Sequence, residues 1–242
     1  MNEIQLSFYT LQDLFSRDLW LRFFTGLERL LGAKLSHLDT NDPMRKKVTI
    51  LEDAADYVCL IQEHEGSRRL FGKFGKSGVE IGIYLVRDVS FVPNSISLYF
   101  PEKTINLSGG VVLLYDVFVE GARFLQPFYS LCDLRSMVAR KKKSSGFAVD
   151  LQAELIGIFW LTYFNKSYVE FFGQSTINKL ACEKATLQDG VLIRLGPSPF
   201  SVELTREHAE NLLGKASFVE PEINFEKSIG RNALTFNSML KQ

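Results

Sequence analysis

The sequence lacks most of the residue patterns that identify a protein's chemistry. Its three cysteines are widely separated and form no CxxC pair, which predicts reduced thiols in a reducing compartment. The histidines His37, His64 and His208 stand apart, with no second ligand at metal spacing. No GxSxG or HExxH motif occurs. The sequence therefore predicts no metal centre, no cofactor and no catalytic group built from neighbouring residues.

Neither sign of charge is in excess. Lys plus Arg and Asp plus Glu number 28 each, whereas general nucleic-acid binders carry a basic surplus. Four consecutive basic residues occur at 140–143, but without interleaved aromatic residues they are more typical of a solvated loop than of a phosphate contact. With 46% hydrophobic residues, the chain has the composition of a globular protein with a sizeable core.

Long hydrophobic runs are also missing. The longest, LIGIFWL at 155–161, is far below the roughly 20 residues that a membrane span needs. The first ten residues, MNEIQLSFYT, place an acidic residue where a signal peptide would be basic, and no long apolar segment follows. We therefore expect a cytoplasmic protein with no membrane span.

Periodic apolar residues alternate between strand and helix patterns along the chain. Period-two patterns predict strands at 3–9 and 78–88, with 92–101 as the antiparallel neighbour of the second. β-Branched and aromatic residues predict a buried strand at 154–164, and an Asp-Gly turn leads into a predicted strand at 189–196. Three-and-four spacing predicts helices at 16–31, 51–65, 109–125, 166–172 and 206–213. The segments 36–47 and 139–146 are predicted to be loops, and 127–134 a strand or a helical turn. Hairpin pairing of 79–87 with 94–100 favours an α+β fold with mixed or antiparallel sheets. We expect one domain, 1–242, with 1–140 and 146–242 as candidate halves joined by a basic loop.

Aromatic residues are concentrated at 160–173, where six of fourteen positions carry a ring. These rings could line a ligand pocket or fill a core. A buried strand leading directly into a short helix, with Asn165 as N-cap and Gly173 after its end, accounts for the density. We therefore predict that Trp160 and Phe164 are buried in the core.

Three features resemble reactive sites. FGKFGKSG at 71–78 ends like a phosphate-binding loop, but the required first glycine is Leu70 and a strand follows, so we predict no nucleotide site. Cys132 next to Asp133 has apolar neighbours and is predicted to be a buried structural thiol. Glu154 is predicted to be a salt-bridged or capping residue, because one carboxylate does not make an acid–base pair.

Acidic residues are concentrated in two stretches, which are either solvated faces or surfaces that attract a basic partner. The candidate partner-binding residues are Asp39, Asp42, Glu52, Asp53 and Asp56 in the first stretch and Glu203, Glu207 and Glu210 in the second.

The runs GIFWLTYFNKSYVEFFG and DGVLIRLGPSP resemble the strand–helix–strand core of polymorphic-toxin immunity proteins, in particular the type VI secretion immunity family and its relatives. The resemblance extends from about 146 to 200. It implies a small bacterial α+β protein that binds and neutralises a cognate secreted toxin without catalysis, and it supplies no catalytic residues. The alternatives are a small-molecule- or nucleotide-binding enzyme whose site is assembled from distant residues, and a structural subunit of a larger complex. A homo-oligomer stays open.

Overall fold

The computed structural model describes residues 3–63, 68–90, 92–106, 108–143, 149–200, 202–219 and 233–240. The chain divides into two compact units, Glu3–Pro127 and Phe128–Gln242. Strands and helices alternate in both, and the strands of each unit pair antiparallel, so the predicted α+β class is confirmed.

The first unit is built on a five-stranded antiparallel sheet in the order β2-β3-β4-β5-β1. Its strands are β1 (Glu3–Thr10), β2 (Leu35–Asp39), β3 (Arg68–Phe74), β4 (Val79–Leu85) and β5 (Asn94–Pro101). Its helices are α1 (Arg17–Leu31), α2 (Leu51–Glu63), α3 (Lys103–Asn106) and α4 (Gly110–Leu125). The predicted hairpin is confirmed, with Ile81 opposite Leu98 in the β4–β5 pairing.

Helices cover the apolar face of this sheet. Every second residue of β4 and β5 is buried, as expected for strands with one face on the core. Helix α1 packs on α2 and α4, and α4 packs on β1. The predicted ends of α1 are confirmed: the Ser16 hydroxyl accepts a hydrogen bond from the Leu19 N–H, and Gly32 ends the helix in the left-handed conformation.

The second unit has a four-stranded antiparallel sheet in the order β6-β7-β9-β8. Its strands are β6 (Tyr129–Leu134), β7 (Leu161–Phe164), β8 (Glu183–Leu187) and β9 (Gly190–Arg194). Its helices are α5 (Arg135–Lys143), α6 (Lys166–Phe172), α7 (Gln174–Asn178), α8 (Glu203–Leu213) and α9 (Phe236–Leu240).

The aromatic segment forms part of the core of the second unit. Trp160 and Phe164 are fully buried, as predicted. The Asn165 side chain caps α6 by accepting a hydrogen bond from the Tyr168 N–H. The rings of Phe164, Tyr168 and Phe172 pack against one another, with centroids 5.2–5.9 Å apart. The high aromatic content therefore reflects a strand and a helix that share one core.

Several predicted elements were wrong. The segment 154–164 is not one strand: β7 covers only its last four residues, and 156–160 has no regular secondary structure. Helix α8 begins at Glu203, three residues before the predicted start at 206, and Val202 is its N-cap residue.

Two predicted loops contain regular structure. The predicted loop 36–47 begins in strand β2, and the predicted loop 139–146 is helical up to Lys143, while 144–148 lie outside the described residues. The ambiguous segment 127–134 contains strand β6, and β3 and β8 were not predicted.

Candidate functional site

The first acidic stretch contains one carboxylate with an internal role. Asp39 is buried at the end of β2 and accepts hydrogen bonds from the backbone N–H groups of Arg45 and Lys46, at 2.8 and 3.0 Å. These donors, with further ones from Asn41, lower the pKa of the Asp39 carboxyl to about 2. Asp39 therefore holds the loop after β2 in place and is not itself exposed to a partner.

Backbone hydrogen bonds fix the same loop along the outer edge of β2. The Leu38 N–H donates to the Lys46 carbonyl at 3.1 Å, and the Val48 N–H donates to the Ser36 carbonyl at 3.0 Å. The Lys46 ammonium lies 3.1 Å from the centre of the Tyr57 ring on α2. The loop thus packs beside α2, the helix that carries the other acids of this stretch.

The remaining acids of the stretch are exposed, and we call Asp42, Glu52, Asp53 and Asp56 the acidic surface. Asp56 forms a 2.5 Å ion pair with Arg17. The other three form no ion pair in the part of the chain that the structure describes. Because Glu52 and Asp53 lie in the first turn of α2, their negative charges also interact favourably with the positive end of the helix dipole.

The second acidic stretch does not form a common surface. Glu207 is exposed, and the side chain of Glu203 lies outside the described residues. Glu210 is buried: it accepts two hydrogen bonds from the Lys141 ammonium, at 2.7 and 2.9 Å, and one from the Ile158 N–H at 3.0 Å. Only Glu207 is thus placed in the described structure to meet another molecule.

A buried polar network, which the sequence analysis missed, surrounds the irregular segment 156–160. The Arg206 guanidinium on α8 donates to the Asp133 carboxylate at 2.6 Å and to the Ile158 carbonyl at 2.9 Å. The same Asp133 carboxylate accepts from the Trp160 N–H at 2.9 Å. Burial raises the pKa of the Asp133 carboxyl, and the adjacent Arg206 charge opposes this shift.

This network supplies partners for a segment that has no sheet ladder of its own. Asp133 is fully buried and Arg206 is 4% exposed, so neither side chain is available to a substrate in solution. Glu210 and Lys141 continue the network on the other side of Ile158. A signal was present in the sequence: Asp133 lies inside an apolar strand, and Arg206 and Glu210 share a helix face with the apolar residues Ala209 and Leu213.

The three features that resemble reactive sites take up structural positions. Residues 75–77 form a tight turn between β3 and β4, where the Ser77 hydroxyl donates to the Phe74 carbonyl at 2.7 Å and accepts from the Val79 N–H at 3.1 Å. Cys132 is fully buried, and burial raises the pKa of its thiol well above the usual range. Glu154 is also buried.

Among the described residues, no group of three or more His, Cys, Asp or Glu side chains is arranged to hold a metal ion. Each helix in this part of the chain is too short or too polar to cross a lipid bilayer.

Comparison with known proteins identifies a shared fold. No protein-family model and no curated protein matches the chain. Among solved structures, the chain is similar to the Pseudomonas aeruginosa T6SS protein PA0821, with a TM-score of 0.65 and 15% sequence identity. The match covers 97% of this chain and 78% of that one. The chain therefore has the α+β fold of a protein associated with type VI secretion.

Proposed function

We propose that this chain is a bacterial, cytoplasmic immunity protein of type VI secretion that binds a cognate toxin and neutralises it without catalysis. The observation that carries the proposal is the fold shared with a T6SS protein along 97% of the chain. The resemblance of 157–173 and 189–199 to polymorphic-toxin immunity proteins supports the same function.

The acidic surface is the proposed contact for a basic toxin. Asp42, Glu52 and Asp53 are exposed and form no ion pair within the described residues, so their charges are available to a partner. Charges at the rim of an interface mainly raise the association rate and add salt dependence, while the apolar centre slows dissociation. We therefore expect the acidic surface to control how fast the toxin binds more than how long it stays bound.

Charge reversal at single positions tests this contact. We expect Asp42→Lys and Asp53→Lys to slow association with the toxin and to flatten its salt dependence, measured by surface plasmon resonance at two salt concentrations. Glu170→Lys is the matched control, because it makes the same charge change at an exposed position of α6, outside both acidic stretches. Circular dichroism on each variant checks that the fold is retained.

The outcome for the acidic surface and the outcome for the immunity function can be told apart. If Asp42→Lys and Asp53→Lys associate with the toxin as fast as the wild type does, the acidic surface is not the contact. That result would not contradict inhibition of the toxin through another surface of this chain. The toxin candidate is the product of the neighbouring gene, expressed alone and together with this chain. A neighbouring product that is harmless alone, or that does not bind, would contradict the immunity function itself.

The alternative is an enzyme for a small molecule or a nucleotide, with a site assembled from distant residues. It makes a different prediction, because a ligand that binds only the folded state raises the melting temperature, and the increase grows with the logarithm of ligand concentration above the Kd. A thermal-shift screen with nucleotides and common metabolites tests it. A reproducible shift that grows in this way with one ligand would favour the enzyme over the immunity protein.

A further inference from the structure

One end of the sheet in the first unit contains a cleft. Because β1 and β4 are both antiparallel to β5, their carboxyl ends lie at the same end of the sheet. The cleft lies between the segments that follow these strands, residues 11–16 and residues 86–90. Its volume is about 440 Å³, within the range of roughly 300–1,000 Å³ that is typical of small-ligand sites.

A single buried side chain holds both sides of the cleft. Asn94, at the start of β5, is fully buried and lies at the base of the cleft. Its amide oxygen accepts from the Val86 N–H at 2.8 Å, and its amide nitrogen donates to the Gln12 carbonyl at 2.9 Å. The two walls are therefore fixed before anything binds, which reduces the ordering cost of binding.

Apolar side chains form about half of the cleft surface. Leu11 and Phe15 line one side and Val86 and Val89 the other. Phe15 is 47% exposed, and its backbone N–H donates to the Asp13 carboxylate at 2.8 Å. Its neighbour Leu14 is fully buried, and the Ser16 N–H donates to the Leu14 carbonyl at 2.9 Å, so the backbone around Phe15 is held while its ring is half exposed. An aromatic side chain on a backbone held in this way can anchor a partner.

Charged side chains of both signs line the cleft. Arg87 is exposed and forms no ion pair within the described part of the chain. Asp13 is also exposed, and its carboxylate accepts the hydrogen bond from the Phe15 N–H while keeping its negative charge. A free guanidinium can donate two parallel hydrogen bonds to a carboxylate. The cleft therefore combines apolar side chains with a guanidinium that can recognise a carboxylate.

We infer that this cleft docks a segment of a partner protein in which a large apolar residue stands next to Asp or Glu. A protein segment fits better than a free small molecule, because Phe15 is 47% exposed and Val92, in the same β4–β5 connection as Val89, is 44% exposed, so apolar side chains continue to the solvent. The site recognises its partner through Arg87 and does not depend on whether the partner is a toxin.

Peptide titration of the full chain, followed by ¹H–¹⁵N NMR, tests the inference. The probe is the capped peptide acetyl-Gly-Phe-Glu-Gly-amide, compared with its Gln counterpart and with 3-phenylpropionate. We expect the Glu peptide to shift the signals of Leu11, Phe15 and Arg87 saturably. We expect the Gln peptide to bind roughly ten-fold more weakly, because it lacks the charge that pairs with Arg87.

Two variants and a control complete the test. Arg87→Gln should remove the preference for Glu over Gln, and Phe15→Ser should weaken both peptides. Lys76→Gln makes the same charge change in the β3–β4 turn at the opposite end of the sheet and should change nothing. Equal binding of the Glu and Gln peptides to the wild type, or shifts confined to other residues, would overturn the inference. Tighter binding of 3-phenylpropionate than of the Glu peptide would assign the cleft to a small carboxylate instead of a protein.

Discussion

Close packing at single glycines shows how little space remains in the first unit. A Cβ atom added to Gly121, on α4, would lie 2.4 Å from the ring of Phe8 on β1, closer than real Cβ contacts come. At Gly26, on α1, the nearest atoms would be 3.4 Å away, which is ordinary contact. Both glycines lie inside helices, so they differ mainly in the space around them.

We expect Gly121→Ala to destabilise the protein. Alanine gains about 1 kcal/mol of helix propensity over glycine, but overpacking a core typically costs about 1–3 kcal/mol. Because Phe8 is fully buried and cannot move into solvent, the clash should outweigh the gain. Gly26→Ala is the control and should be neutral or stabilising by up to about 1 kcal/mol. Urea unfolding measures both, and a Gly121→Ala variant as stable as Gly26→Ala would contradict the packing at Phe8.

The low pKa of Asp39 predicts that the stability of the loop after β2 depends on pH. The pKa of the Asp39 carboxyl is about 2 in the folded protein, below the ordinary value of 3.8 for this group. Its ionised form therefore stabilises the loop at pH values above about 4, and this contribution is lost as the pH falls through 2. We expect protection of the Arg45 and Lys46 amides from hydrogen exchange to fall between pH 4 and pH 2. The Asp39 carboxyl itself should titrate near 2 by NMR.

A matched substitution isolates that effect. Asp39→Asn should lower the protection of the two amides already at neutral pH, because the charge that accepts their hydrogen bonds is lost. Asp42→Asn, in the same loop but exposed, should leave them unchanged. An Asp39 midpoint at or above 3.8 would show that the loop is not held by this carboxylate.

The predicted candidate residues differ in ways that their spacing does not reveal. Asp39 and Asp42 are three residues apart, yet one is buried and the other exposed. Glu207 and Glu210 differ in the same way on α8. What separates them is a partner distant in sequence or supplied by the backbone, such as Lys141 for Glu210. The sequence could therefore indicate acidic stretches but could not identify which carboxylates face solvent.

At the scale of elements, α8 and β6 are joined to the irregular segment 156–160 by the Asp133–Arg206 pair. Removing one partner of a buried ion pair typically costs about 3–5 kcal/mol, because the other charge is left unpaired away from water. We expect Asp133→Asn to destabilise the protein by that order in urea unfolding. The exposed Lys166–Glu170 pair on α6 supplies the control, and Glu170→Gln should cost less than about 1 kcal/mol.

Equal effects of the two substitutions would contradict the role given to the network. A further measurement distinguishes this role from general destabilisation. Hydrogen exchange at the Trp160 amide, which donates to Asp133, should accelerate in Asp133→Asn and stay slow in Glu170→Gln. Exchange at Trp160 that is unchanged in Asp133→Asn would show that the segment is held by packing alone.

Elements with a clear apolar face were predicted, and elements without one were missed. Helix α1 and strands β4 and β5 show their buried faces in the sequence. Strand β8 exposes four of its five side chains, so it shows no alternation of apolar and polar residues. Helix α5 has Val138 as its fully buried apolar residue, so its sequence shows no apolar stripe. The β-branched and aromatic residues of 154–164 predict one strand, and all of these residues are buried, but side chains and not a ladder satisfy part of the backbone.

At the scale of the whole molecule, the sequence predicts one domain. This prediction means that the two compact units should unfold together. A single domain unfolds in one transition, whereas independent halves unfold in two. The variants Gly121→Ala in the first unit and Asp133→Asn in the second each weaken one compact unit. We expect differential scanning calorimetry to give one transition that both variants shift. Two transitions, each shifted by one variant, would show that the units unfold separately.

The position of β1 in its sheet has a consequence for synthesis of the chain. Its antiparallel partner within the first unit, β5, is translated only after α1, β2, α2, β3 and β4. At about 5–20 residues per second, β1 waits several seconds on the ribosome with Ile4, Leu6 and Phe8 uncovered by that partner. During this interval the nascent chain presents a short apolar strand, which is the kind of segment that chaperones bind. Translational pausing before Asn94 should therefore lower the yield of folded protein more than a pause of equal length after Pro101.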